Sequence, residues 1–300
     1  MACSEHEPEK GDVEWSTDIT PVREVVHVDD HMSEGFLASL DDGKILLLFR
    51  LDPASSSITS GIWSTGQQSI LTKKIKHMQK TATYHVKRLK QPMPIDGNWD
   101  KAPWQETEAL NIDHFAWVEP LFRPVTQAKM RYDNTHLYVI FHVQDRYVRC
   151  QVRDYNGPVY DDSCVEFFFS PNTDLPDKYF NLEVNCIGTP LMHYNRVPRQ
   201  DITELEVNDI KNIEIASSLP KELIFPETSD PVTWTIEYKI PLRLLEKYAK
   251  ITRPEKGVVW KANFFKIASG INTHYASWAA LQNDKPDFHL PQFFGILKFI

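Results

Sequence analysis

The chain has 300 residues, a net charge of −8, 42% hydrophobic and 25% charged side chains, enough for one large β domain or two smaller ones around a real core. Its acidic balance argues against a nucleic-acid partner, whose phosphates call for a basic footprint. No run approaches the roughly 18 consecutive apolar residues of a membrane span, and twenty prolines against eleven glycines with 12% aromatics favour strands and turns.

The start, MACSEHEPEKG, has no hydrophobic signal core. Cys3 stands among small residues with acidic ones following, and this resembles a bacterial lipoprotein just after its signal. With a true start upstream, Cys3 would be lipidated and the protein would lie in the cell envelope or outside the cell. Otherwise the stretch reads as a charged tail of a cytoplasmic protein. The four cysteines, Cys3, Cys150, Cys164 and Cys186, form no C-x-x-C pair, which disfavours a zinc knuckle.

Residues 1–77 and 78–300 read differently. In the first segment GFLASLDDGKILLLFRL (35–51) predicts a hairpin turning at Asp42-Gly43. SSSITSGIWSTG (55–66) reads as a linker, and a basic stretch, KKIKHMQK, follows. One hairpin cannot bury its own face, so this segment is expected to be marginal, an accreted piece on the rest.

The second segment alternates short strands with turn signals. Strands are predicted at 84–89, 126–132, 136–145, 165–170, 179–188, 234–242, 258–267 and 293–300. PLRLLEKYA (241–249) reads as a helix with proline at its start. The expected fold is all-β, an antiparallel, jelly-roll-like sandwich with one or two short helices.

Within VYDDSCVEFFFSP (159–171) side chains alternate, so Val165, Phe167 and Phe169 share one face and Cys164, Glu166 and Phe168 the other. Symmetric pairing with 179–188 sets Phe169 against Phe180, Phe167 against Leu182 and Val165 against Val184, an apolar layer that fixes the register. It also sets Glu166 against Glu183. Opposed carboxylates repel, so a cation, a neighbouring Lys or Arg, a shared proton or a polyol must compensate. The competing account is a solvated outer face, against which Phe168 speaks. Cys164 and Cys186 fall on opposite faces, which excludes a disulfide between them.

IDGNWDKAPW (95–104), AKMRYDNTHLYVIFHVQD (128–145), DDSCVEFFFSP (161–171) and FHLPQFFGILKF (288–299) occur in an order that resembles the family 9 carbohydrate-binding modules. These belong to the wider DOMON-like β-sandwich group, and the resemblance covers about 80–300. It implies a bacterial-type module of polysaccharide catabolism that binds a glycan or oligosaccharide without cleaving it. It puts one sugar-stacking ring at Tyr160, a second at Phe288, and a hydroxyl-binding carboxylate at Glu166. Sugar C–H faces stack on rings while carboxylates accept hydroxyl hydrogen bonds. The chain departs from the family at Glu183, where an arginine is expected, and at Phe265, where a glutamine is expected. Both rings are smaller than the usual tryptophans. These departures imply another glycan or a cation-bridged acidic one, with Glu183 tuning the site. The resemblance also implies structural calcium, for which no loop here has the spacing. The hairpin 35–51 resembles one blade of a sialidase-type β-propeller, without the Asp-box pattern.

Trp117 and Trp278 are candidates for the rim of the cleft, and Trp99 and Trp104 for plugging the sandwich end. Two other classes remain open. A glycoside hydrolase could use Glu166 with Glu183; Asp162 with Glu166 would stand about 13 Å apart on one strand, too far for an acid–base pair. A haem-binding DOMON-type module would use Met130 or a histidine such as His136 or His142. A structural or protein-interaction sandwich is the remaining alternative.

Overall fold

A computed structural model describes residues 81–300 throughout and, before them, the backbone of three strands: β1 (Met32–Ser39), β2 (Ile45–Leu51) and β3 (Ile58–Trp63). The chain divides into two compact units, Met1–Lys80 and Thr81–Ile300. In the first, β1 pairs antiparallel with β2, Gly35 opposite Phe49, as the hairpin signal implies. The expected linker is corrected in part, because Ile58–Trp63 pairs with β2 as a third strand. Isoleucine and tryptophan at its ends suit a pleated surface, and the serines around them conceal it in composition. Cys3 lies outside the described residues.

Fourteen short strands and a few one- or two-turn helices are described in the second unit. They run β4 (Thr83–Arg88), α1 (Ala102–Gln105), β5 (Leu110–Asn111), β6 (His114–Phe115), β7 (Val125–Tyr132) and β8 (His136–Asp145). Then come β9 (Cys164–Ser170), β10 (Tyr179–Asn185), β11 (Pro190–Val197), β12 (Asp201–Glu204), α2 (Val207–Ile210), β13 (Glu214–Ser217) and β14 (Val232–Pro241). The chain ends through α3 (Leu242–Tyr248), β15 (Val259–Ala268), β16 (His274–Ser277) and β17 (Gly295–Phe299). Val159–Asp161 and Pro291–Phe293 form single 3₁₀ turns. α3 starts behind Pro241 and sends Leu242, Leu244 and Leu245 inward, matching the sequence reading.

Hydrogen bonding follows one path, β12-β11-β10-β9-β15-β17-β4-β7-β8-β14-β13, which folds over at β4. Residues 83–86 of β4 pair with β17 and residues 87–88 with β7, so this strand belongs to both halves. Both of its pairings are parallel, a correction to the all-antiparallel expectation. β4 has no hairpin partner; it fills the seam between strands distant in sequence, where chain direction is not set by a tight turn.

The two halves face each other across one apolar core. Phe167 is stacked between Phe169 and Phe264, with ring centroids 4.5 and 4.6 Å away. Phe141 of β8 meets Phe264 of β15 at 6.0 Å, and Tyr132 meets Phe299 at 5.1 Å. Gly295 is small by necessity, since a Cβ there would come 2.6 Å from the Trp278 ring and 2.7 Å from the Ala82 carbonyl oxygen. The outer face of β8 is covered by the loop before α1, where Leu89, Met93 and Trp104 pack on Tyr138 and Ile140. Trp99 and Trp104 therefore cover a sheet face and do not plug an end. Glu237 anchors that loop, accepting hydrogen bonds from the amides of Asp96 and Gly97, the Trp104 indole and the Lys101 ammonium. Gly97 makes the turn possible with φ at +76°.

Candidate functional site

The register of β9 and β10 is the one the apolar pattern dictates: Phe180 opposite Phe169, Leu182 opposite Phe167, Val184 opposite Val165, and Glu183 opposite Glu166. Cys186 is in the sandwich core, Cys164 is under the 159–161 turn, and both are free thiols. β15 lies on the other side of β9, with Phe265 beside Glu166 and Ile267 beside Cys164.

The face carrying the glutamates is not a solvated one. Glu166 is 2% and Glu183 5% exposed. Around them Phe168, Tyr179, Phe265, Phe288 and Phe294 form an aromatic cluster, joined at its edge by Trp117, Tyr275, Ile267 and Leu281. Phe288 is 6% exposed and lies face to face on Phe265, centroids 4.1 Å apart and planes at 14°. Trp117 borders Phe288 at 5.8 Å and donates its indole N–H to the Asn283 carbonyl. Tyr179 and His289 share a hydrogen bond of 2.7 Å, and burial pushes the His289 imidazole down to about 3, so it is neutral.

Tyr160 sits on the 159–161 turn, which packs against β9, β10 and β15. Val159 of that turn rests on Cys164 and Leu191, and Tyr160 is 43% exposed. Along the face, the tyrosine turn thus covers the Cys164 end while Phe288 covers Phe265 beside Glu166. Trp278 is a correction: it belongs to the core between the sheets, edge-on to Phe264 at 5.8 Å, because it follows β16 on the inward side. Of the residues named for a haem site, Met130 points into the core while His142 stands outside, against Trp99 at 5.2 Å. Asp162 is a buried anchor that accepts the amides of Gln151 and Val152 and the Asn185 side chain.

Desolvation dominates the electrostatics. It drives the Glu166 carboxyl well above the usual carboxylate range, with the charge of Glu183 adding to the rise. Glu183 is pushed up to about 7 by burial, against the opposing pull of the Asn181 amide and the Arg199 guanidinium. The pair therefore keeps a proton at neutral pH. Asn195 donates to Asn181 at 2.6 Å, and Asn181 donates to Glu183 Oε1 at 2.9 Å. Among the described residues Glu183 Oε2 has no hydrogen-bond partner. Arg199, in the β11–β12 turn with φ +63°, makes an ion pair with Asp287 at 2.7 Å. Among the described residues no group of three His, Cys, Asp or Glu side chains could hold a metal, and no helix is long and apolar enough to cross a membrane.

Asn181 shares a strand face with Glu183 and could be found by parity. Arg199, Asp287 and His289 sit in loops that converge only through the fold, and β11, which carries the chain to Arg199, has no clear alternation in sequence.

A β-sandwich presenting buried carboxylates beside aromatic rings on one sheet face is the build of a carbohydrate-binding module. The chain matches carbohydrate-binding family 9 over residues 98–299 and belongs to that family, whose modules bind carbohydrate without catalysis. It is similar to a candidate carbohydrate-binding protein from Bacteroides uniformis ATCC 8492, with 25% identity and a TM-score of 0.66 over 74% of this chain and 100% of that one. Two structures of a family 9 module from Caldicellulosiruptor kristjanssonii, one in complex with cellotriose and one with glucose, show 17% identity and TM-scores of 0.49. They cover 72% and 73% of this chain and 93% and 95% of theirs. Among the curated proteins none matches the chain.

Proposed function

We propose that the Glu166–Glu183 face is the carbohydrate site, with Tyr160 stacking on a sugar ring and the carboxyls binding its hydroxyls. The observation that carries this reading is the opposed glutamate pair, buried beside the aromatic cluster with Glu183 Oε2 lacking a partner. A buried acceptor left unpaired is costly, and a hydroxyl donor from a ligand would relieve it. Tyr160, 43% exposed at one end of this face, is the aromatic residue accessible for C–H stacking. Phe288 has one face taken by Phe265, so it serves as wall and edge more than as a second open stacking plate.

Isothermal titration against a panel including glucose, cellotriose and plant and host glycans tests the reading. A saccharide is expected to bind and to be recovered intact, and Tyr160→Ala is expected to weaken it about three- to tenfold. Release of free sugar that Glu166→Gln abolishes would instead favour a hydrolase. Absence of binding across the panel would leave a structural or protein-interaction sandwich.

A further inference from the structure

The charge around the two glutamates is unbalanced. Among the described residues neither carboxyl makes an ion pair. Arg199 acts on both, but its side chain is 59% exposed and both of its hydrogen bonds toward this region go to one Asp287 oxygen. Lys266, on the opposite face of the sheet, is paired with Asp145 at 3.3 Å. His289 is neutral, and His193 is held below its ordinary value by burial, with Glu204 as its nearest acid at 3.8 Å. With one proton held between Glu166 and Glu183, the charge left on the pair and that of Asp287 still outweigh Arg199, an excess of negative charge on this face.

Geometry narrows what would correct it. Glu183 Oε1 is occupied by the Asn181 amide, while Oε2 is buried and empty-handed. Directly opposed residues on antiparallel strands have Cβ atoms about 4.5–5.5 Å apart, so one compact donor can reach both carboxyls. A hydroxyl would satisfy one oxygen and leave the pair's residual negative charge uncompensated. An ammonium has several donors and a charge that offsets it, and Phe288, which covers the buried Phe265 beside Glu166, supplies an apolar wall for the attached ring.

Resting on the carbohydrate reading above, we propose that the site takes an amino sugar, with the free ammonium of a 2-amino-2-deoxyhexose seated between Glu166 and Glu183. Cellotriose and fully deacetylated chitotriose are matched probes, since they differ only by hydroxyl against ammonium at C2. Acetylated chitotriose carries the same nitrogen without charge. Calorimetry of the full chain at neutral pH is expected to show the deacetylated trisaccharide bound at least about tenfold more tightly than the other two, as a charged hydrogen bond in place of a neutral one implies. Repeating the titration in buffers of different ionisation enthalpy is expected to reveal proton release with the ammonium ligand, because the cation displaces the proton the pair retains. Glu183→Gln and Glu166→Gln, checked for an intact thermal transition, are each expected to bring the affinity ratio close to one. Equal or weaker binding of the deacetylated trisaccharide, with cellotriose bound, overturns the amino-sugar proposal and leaves the carbohydrate site standing. Failure of all three probes and of the wider panel would overturn both.

Discussion

Glu183 links stability to pH in a direction opposite to that of an ordinary paired carboxylate. Its folded value, about 7, lies above its unfolded one, so the folded state holds the proton more tightly. This group's contribution is favourable at pH below about 4.5 and is lost as pH rises towards the folded value near 7. Glu183→Gln is therefore expected to gain on the parent as pH increases, by on the order of 2–3 kcal/mol at pH 8 relative to pH 5. Urea midpoints at the two pH values check this; an unchanged difference would mean that the carboxyl is ionised and solvated in the folded protein. Lys266 makes a second case. It lies fully buried beside Asp145 and donates to His274 Nε2 at 2.9 Å. Lys266→Met is expected to cost about 3–5 kcal/mol, since it strands the Asp145 charge, and adding Asp145→Asn should recover part of the loss in the same denaturation experiment.

At the scale of elements, β9 carries the weight of the fold. Phe167 is stacked on both sides, so Phe167→Ala is expected to cost about 3–5 kcal/mol, measured by thermal or chemical unfolding. Gly295→Ala should also destabilise, because the ring of Trp278 and the Ala82 carbonyl both stand where the methyl would go. A melting temperature equal to the parent's would show that β17 can slide away from β16. The pattern of β9 and β10 was legible residue by residue: two strands with three apolar positions each on one face allow a single register without exposing the core. β11, β12, β13 and β16 were not legible. They are short, begin beside proline or glycine, or lie at edges where only one neighbour constrains them. The parallel pairing of β4 could not be read because no local turn encodes it.

For the whole molecule, the division at Lys80–Thr81 bears on how the protein would be dissected. Among the described residues, the core cluster is built from positions after that point. A fragment of residues 81–300 is expected to melt cooperatively in circular dichroism and to bind saccharide as the full chain does. A fragment that fails to fold would make the first unit integral. Sequence alone determined the β class, the β9–β10 register and the confrontation of Glu166 with Glu183, because side-chain parity along a strand is a local property. It also carried the order of motifs that belongs to carbohydrate-binding family 9. Tertiary structure decided the rest. It buried the glutamate face, laid Phe288 on Phe265, turned Trp278 into the core, and paired Arg199 with Asp287 from separate loops. Desolvation and long-range charge depend on what folds over a strand, and no spacing within the strand records that.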